Sequence, residues 1–263
     1  MIPEPAAGVA QIPAWLSVHL PDDVTVHKAA SEALSKRAAE LLTGGVKNVE
    51  AFLEQGEPYA AIVTRAEKFG ADLVVIGSHG RTGLQRILLG SVAEKIVRHA
   101  PCAVHVARKG PEAGPVVTGT DFSEASKPGL RAAALEAART GSPLVVVYVF
   151  DLAWPGTTPY AVDASGLSAV LSDTEALRNA KQELTKLLEE VTRGILVQIT
   201  TEVLVGEPAA ILVRRAEELG ARLVAISTHG RTGLTRVLLG SVAERVVRLA
   251  HCPVLAVRGA PQG

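Results

Sequence analysis

Short apolar runs alternate with longer segments of helical spacing along the C-terminal half of the chain. The runs rich in β-branched residues predict strands at 143–150 (PLVVVYVF), 222–227 (RLVAIS) and 253–257 (PVLAV), with two further strands within 114–123 and 195–205. The intervening segments predict helices at 124–140, about 168–192, 208–219 and 241–250, and Gly141 and Gly220 end two of them. Strands that alternate with helices predict an α/β fold with an open, parallel, doubly wound sheet.

The same pattern occurs twice at an interval of 150 residues. Residues 56–108 match residues 206–258 without a gap, and 33 positions are identical. Both copies contain a glycine-spaced loop, GSHGRTGLQRILLGS at 77–91 and STHGRTGLTRVLLGS at 227–241. A repeat of this length is a whole structural unit, because solenoid repeats are only about 20–50 residues long. The sequence therefore predicts two tandem domains, at 1–109 and 114–260.

The first copy lacks the beginning of the second. Met1 aligns with Asp151, so the strand, helix and strand predicted before that point have no counterpart in the first copy. What remains of the first copy is a helix near 29–42, then strand, helix, strand, loop, helix and strand. Either the protein begins further upstream, which we favour, or the missing strands come from elsewhere. The DNA upstream of Met1 decides between these explanations.

Composition and charge exclude several classes of function. Lysine plus arginine and aspartate plus glutamate are balanced at 27 each, which argues against nucleic-acid partners and anionic membranes. No apolar run is long enough to span a membrane, and the N-terminus does not resemble a signal peptide, so we expect a cytoplasmic protein. Cys102 and Cys252 occupy equivalent positions beside short apolar runs, and we expect buried, reduced thiols.

The glycine loop has features of an anion site. It lies between a predicted strand and a predicted helix, and Gly80 and Gly83 allow close approach of the backbone to a ligand. Gly90 and Ser91 lie where the helix begins, and the free amides and dipole there favour phosphate.

Each part of the loop also has a simpler interpretation. Ser91 with Glu94, and Ser241 with Glu244, fit a capping box that serves only the helix. Arg81 and Arg231 either neutralise phosphate or are solvated. The chain has no Walker A or G-x-G-x-x-G motif, and His79 and His229 lack partners at metal-ligand spacing.

The loop resembles the signature of the universal stress protein family, G-x2-G-x9-G-[ST]. The first copy carries this signature as Gly77, Gly80, Gly90 and Ser91. The segments SHGRTGL, LLGSVAE and TDFSEAS are also typical of that family, and the resemblance covers nearly the whole chain as two tandem domains. It implies two Rossmann-like domains of the adenine nucleotide alpha-hydrolase type, related by a pseudo-two-fold axis.

The resemblance further implies an adenine-nucleotide site. In the second copy it assigns the adenine side to Thr120 and Asp121, packing against the base to Val149, and the ribose and phosphates to Gly230, Arg231, Gly240, Ser241 and Val242. The expected ligand is ATP or another adenine nucleotide, with magnesium as a candidate companion; a chain without any ligand is the alternative.

Two positions depart from the family pattern. Gly119 stands where a proline is common, and Ser227 replaces the first motif glycine. A Cβ at that position restricts the backbone, so we expect weaker binding in the second copy. The first copy keeps Gly77 but lacks the strands that carry the aspartate and the valine, and we expect only the second copy to bind nucleotide.

Three functions fit these observations. The first is a nucleotide-binding stress or regulatory module, the second an interaction protein of the same fold without nucleotide, and the third a weak ATPase. No nucleophile–base pair is visible, so an enzyme is the least favoured. The resemblance also implies that AVHVA and PVLAV pair across the domain interface as an internal pseudo-dimer, and an incomplete first copy would favour homo-oligomers.

Overall fold

The computed structural model describes residues 23–78, 89–151, 174–228 and 239–259. The chain divides into two compact units, residues 1–55 and residues 56–263. The first unit contains helix α1, Asp23–Thr43. All the described strands lie in the second unit.

The second unit alternates strands and helices as the sequence pattern predicts. Its described helices are α2 (Pro58–Phe69), α3 (Ser91–His99), α4 (Lys127–Thr140), α5 (Thr174–Val191), α6 (Pro208–Glu218) and α7 (Ser241–Leu249). Its described strands are β1 (Leu73–Gly77), β2 (Ala103–Ala107), β3 (Val116–Thr120), β4 (Leu144–Phe150), β5 (Ile199–Val205), β6 (Leu223–Ser227) and β7 (Val254–Val257). A 3₁₀ turn, Glu124–Ser126, precedes α4.

The strands form one sheet in the order β1-β2-β7-β6-β3-β4-β5. Every neighbouring pair is parallel except β2 and β7, which are antiparallel. The predicted α/β class with an open, mainly parallel sheet is confirmed. The two repeats thus share a single sheet, joined where the last strand of each meets the other.

The junction between the repeats has a pseudo-two-fold register. Val104 pairs with Ala256, and Val106 pairs with Val254, so the pattern maps onto itself when positions are exchanged across the 150-residue interval. His105 pairs with Leu255, its own equivalent, and marks the axis. The prediction that AVHVA and PVLAV pair across the interface is confirmed.

Charged side chains of α3 and α7 follow the same symmetry. Arg98 lies 3.4 Å from Glu244, and the equivalent Arg248 lies 3.9 Å from Glu94. Each arginine also approaches the glutamate of its own helix, four residues earlier. The four side chains are partly exposed, so their contribution to stability is small. In both pairs, however, an arginine of one repeat faces a glutamate of the other.

Helices cover the sheet on both faces. Because successive strand residues point to opposite faces, Val117, Val145 and Val147 pack with α6 and α7, while Val116, Leu144 and Val146 pack with α4 and α5. These strands are therefore buried on both sides, as their continuous apolar runs predict.

The first repeat departs from the prediction at residues 46–55, which form no strand. In the second repeat the corresponding strand, β5, is hydrogen-bonded to β4 along its whole length. No described strand of the first repeat corresponds to β4, so residues 46–55 lack such a partner. A strand needs a hydrogen-bonded neighbour. The prediction of a strand at residues 46–55 is therefore wrong.

Candidate functional site

The sheet has its topological switch point between β3 and β6. From β3 the chain continues to β4 and β5 on one side, then crosses to β6 and β7 on the other. Ligands of open α/β sheets bind at the carboxyl ends of the strands beside such a point. The structure places Thr120 at the end of β3 and Ser227 at the end of β6, with Val149 near the end of β4.

Asp121 lies in a tight turn directly after β3. Its Oδ1 accepts hydrogen bonds from the Ser123 amide (3.0 Å) and the Ser123 hydroxyl (2.6 Å). The Phe122 amide donates to the Thr120 hydroxyl (3.1 Å), and Phe122 has φ +64°, a left-handed conformation that is costly for a bulky residue. These hydrogen bonds hold the turn and fix the Asp121 carboxylate at the carboxyl end of β3, in the interior of the sheet.

Both glycine loops are closed at their base in the same way. The Gly240 amide donates to the Thr228 carbonyl (2.8 Å), and the equivalent Gly90 amide donates to the Ser78 carbonyl (2.9 Å). These bonds bring Gly240, Ser241 and the start of α7 to the carboxyl end of β6. The loop residues Gly80, Gly83, Gly230 and Arg231, with Arg81, His79 and His229, lie outside the described residues.

The first turn of α7 has no side-chain cap among the described residues. Gly240 is the N-cap, and Ser241 is the first helical residue and is exposed. A capping box would need serine at the N-cap, so the capping-box interpretation is wrong here and at Gly90–Ser91, which have the same geometry. By contrast, Glu207 caps α6 by accepting from two backbone amides. An uncapped helix start offers its amides to an anion.

Ser227 has a role that the sequence did not reveal. Its side chain lies on the α4 face of the sheet, where its hydroxyl accepts from the Gly129 amide (2.9 Å) and donates to the Ser126 carbonyl (3.1 Å). The described contacts therefore direct the hydroxyl at the β3–α4 connection, away from α7. Ser126 and Gly129 carried no sequence signal of their own, because the contact joins residues about a hundred positions apart.

Apolar side chains line the carboxyl ends of β3 and β4. Val149 is half-buried and packs on the face covered by α6 and α7, the same face on which Val242 packs. On the opposite face the Tyr148 ring lies 4.4 Å from that of Phe122 and 4.9 Å from that of Phe150. This aromatic cluster was missed from the sequence, although the aromatics of the chain are few enough for their grouping to be informative.

The first repeat assembles less of a site. Gly77, Gly90 and Ser91 are brought together by the bonded loop base. In the described part of the chain, however, β1 pairs only with β2, and no strand occupies the position that β3 has beside β6. The residues equivalent to Asp121 and Val149 are therefore not supplied there by any described strand.

The cysteines differ in their surroundings. Cys252 is buried and Cys102 is partly exposed, so the predicted burial is confirmed for Cys252 alone. Burial raises the pKa of both thiols, and more of the Cys252 side chain is enclosed. Within the described ranges, no cluster of three histidine, cysteine or acidic side chains could hold a metal ion, and no helix has the length and apolar character needed to cross a membrane.

Comparison with known proteins identifies the family. The model of the universal stress protein family matches residues 7–108 and 113–258. The chain belongs to the universal stress protein family. A universal stress protein of Mycobacterium tuberculosis is 31% identical over 268 residues, which cover 94% of this chain and 83% of that protein.

Other matches differ in extent. A second universal stress protein of M. tuberculosis is 35% identical over 72% of this chain, but the match spans only 62% of that protein's length. A putative universal stress protein structure from Pseudomonas aeruginosa covers 87% of this chain and 78% of its own, at 21% identity and a TM-score of 0.62, and shows the shared fold.

Two solved universal stress proteins were crystallised with adenine nucleotides. One from Archaeoglobus fulgidus is in complex with dAMP; it is 26% identical, covers 55% of this chain and 97% of its own, and has a TM-score of 0.38. Another is in complex with cAMP; it is 23% identical, covers 56% of this chain and 98% of its own, and has a TM-score of 0.39.

Proposed function

We propose that the second repeat binds an adenine nucleotide, with ATP as the first candidate, and that the chain is a nucleotide-responsive stress or regulatory module. The observation that supports this most is the convergence at the switch point of a fixed carboxylate, a half-buried valine and an uncapped helix start. Membership of the universal stress protein family agrees with such a role.

Each group has a distinct part in the proposed site. The Asp121 carboxylate accepts a hydrogen bond from the adenine or ribose, since an ionised oxygen is a strong acceptor. Val149 packs against the apolar face of the base. The amides of Ser241 and Val242 and the dipole of α7 bind the phosphates, and magnesium would neutralise their remaining charge. The proposal includes the glycine-loop residues Gly230 and Arg231 on sequence grounds alone.

The proposed function extends to the whole chain. The internal pairing of β2 and β7 provides the pseudo-dimer within one polypeptide. We propose a cytoplasmic location and further association of copies from the composition and the open first repeat, and we assign no catalytic residue.

Calorimetry tests the nucleotide site. ATP is titrated into the full chain and into Asp121→Ala, and the variant is expected to bind about 10-fold or more weakly, because a hydrogen bond to a charged group is lost. Glu183→Ala, which removes an exposed carboxylate of α5, is the matched control and is expected to bind as the wild type does. Unchanged affinity in Asp121→Ala would contradict the assignment of this residue. A wild-type protein that gives no heat of binding with ATP and retains no nucleotide on purification would contradict the proposed function.

A further inference from the structure

The last residue of β6 caps α4 from a different part of the chain. Gly129 is the third residue of α4, so its amide has no acceptor within the helix. That amide donates to the Ser227 hydroxyl at 2.9 Å, whereas the residue at the N-cap, Ser126, makes no side-chain cap. Ser227 therefore does for α4 what an N-cap side chain normally does.

The two elements meet at backbone contact. A Cβ on residue 129 would lie 2.4 Å from the Ser227 amide nitrogen and 2.7 Å from its hydroxyl oxygen, so only glycine fits there. The Ser227 hydroxyl also donates to the Ser126 carbonyl at 3.1 Å, and Ser227 is almost completely buried. Both hydrogen-bonding functions of this hydroxyl are thus engaged on the β3–α4 connection.

The same contact continues to the turn of Asp121. The Ser126 hydroxyl donates to the Ser123 carbonyl at 2.8 Å and lies 3.0 Å from the Thr120 hydroxyl. Ser123 in turn donates twice to the Asp121 carboxylate. A continuous set of hydrogen bonds therefore links the end of β6, where the glycine loop begins, to the carboxylate at the end of β3.

We propose that Ser227 is a positioning residue of the nucleotide site, orienting Asp121 through Ser126 and Ser123. This inference rests on the proposed adenine-nucleotide function. It reverses the expectation drawn from the family signature, in which serine at this place weakens the site. Restoring the motif glycine should release the β3–α4 connection and loosen the end of the site that recognises the base.

The test uses Ser227→Gly and Ser227→Ala in the full chain, since alanine separates loss of the hydroxyl from the added backbone freedom of glycine. Calorimetry with ATP is expected to show affinity reduced about 3- to 10-fold in both variants, the equivalent of one or two lost hydrogen bonds. Binding of inorganic tripolyphosphate, which has no base, is expected to change less than about twofold. Equal or tighter ATP binding by Ser227→Gly would overturn the proposal.

A second measurement keeps the contact testable without nucleotide. Amide hydrogen exchange at Gly129 and Ser123 is expected to accelerate in Ser227→Ala, because the Gly129 amide loses its acceptor. Thr118→Val, which removes a buried hydroxyl of β3 outside this set of bonds, is the control and should neither accelerate exchange at these amides nor weaken ATP binding. If the wild type binds no ATP, the proposed function fails; if exchange at both amides is unchanged in Ser227→Ala, the positioning role fails.

Discussion

Buried hydroxyls of β3 differ in whether they have a hydrogen-bond partner. Thr120 is bonded to Ser126 and to the Phe122 amide. Thr118, two residues earlier on the same face, is completely buried, and its Oγ1 has no hydrogen-bond partner among the described residues. A buried hydroxyl without a partner loses its hydration without compensation, so this position lowers the stability of the second repeat.

Thr118→Val should stabilise the protein. Valine has the shape of threonine without the hydroxyl, and the free energy of unfolding is expected to rise by about 1 kcal/mol. Urea denaturation measures the change. Thr120→Val is the matched comparison and should lower the free energy of unfolding by about 1–3 kcal/mol, since it breaks two bonds. A loss of stability in Thr118→Val would show that its hydroxyl has a stabilising partner.

At the scale of elements, the junction of β2 and β7 contains a titratable group on its pseudo-two-fold axis. Burial lowers the pKa of His105, and the nearby Glu136 carboxylate on α4 only partly opposes this shift. The equivalent residue opposite it is the apolar Leu255. The folded state thus favours neutral histidine, whereas the unfolded chain takes up a proton near pH 6.5.

The stability of the junction should therefore fall in acid. Because the folded pKa lies below the unfolded one, the unfolded state binds more protons and stability is lost as the pH drops through about 6.5. His105→Leu removes this titratable group and places leucine at both equivalent positions on the axis. Urea denaturation at about pH 7.5 and about pH 5.5 should show a smaller loss in His105→Leu than in the wild type. The exposed-residue control His27→Ala should behave as the wild type, and equal losses in all three proteins would contradict the prediction.

The sequence predicted the elements well where the signal was local. Continuous β-branched runs such as residues 144–150 and the helical spacing between them placed the strands and helices. The central pairing of β2 with β7 was predicted from the family resemblance instead. Sequence prediction failed where the outcome depends on a partner distant in sequence. No described strand lies beside residues 46–55, where the repeat predicts a strand, and the direction of the Ser227 hydroxyl is set by α4.

For the whole second unit, the main asymmetry is the sheet edge at β1. Val75 is 63% exposed and Leu73 is 47% exposed. The equivalent positions of the second repeat, Ala225 and Leu223, are buried against α4. Closely similar strands, LVVIG and LVAIS, therefore have this face exposed in the first repeat and buried in the second.

A matched pair of substitutions tests this asymmetry. Val75→Lys should change the free energy of unfolding by less than about 0.5 kcal/mol, because a lysine at an exposed edge remains hydrated, and it should reduce binding of an apolar dye. Ala225→Lys at the equivalent buried position should lower the free energy of unfolding by more than about 4 kcal/mol or prevent folding, since an unpaired charge would replace core. Urea denaturation and dye fluorescence measure both effects. A large loss of stability in Val75→Lys would mean that this face is covered in solution, and light scattering would then show whether a second copy of the chain covers it.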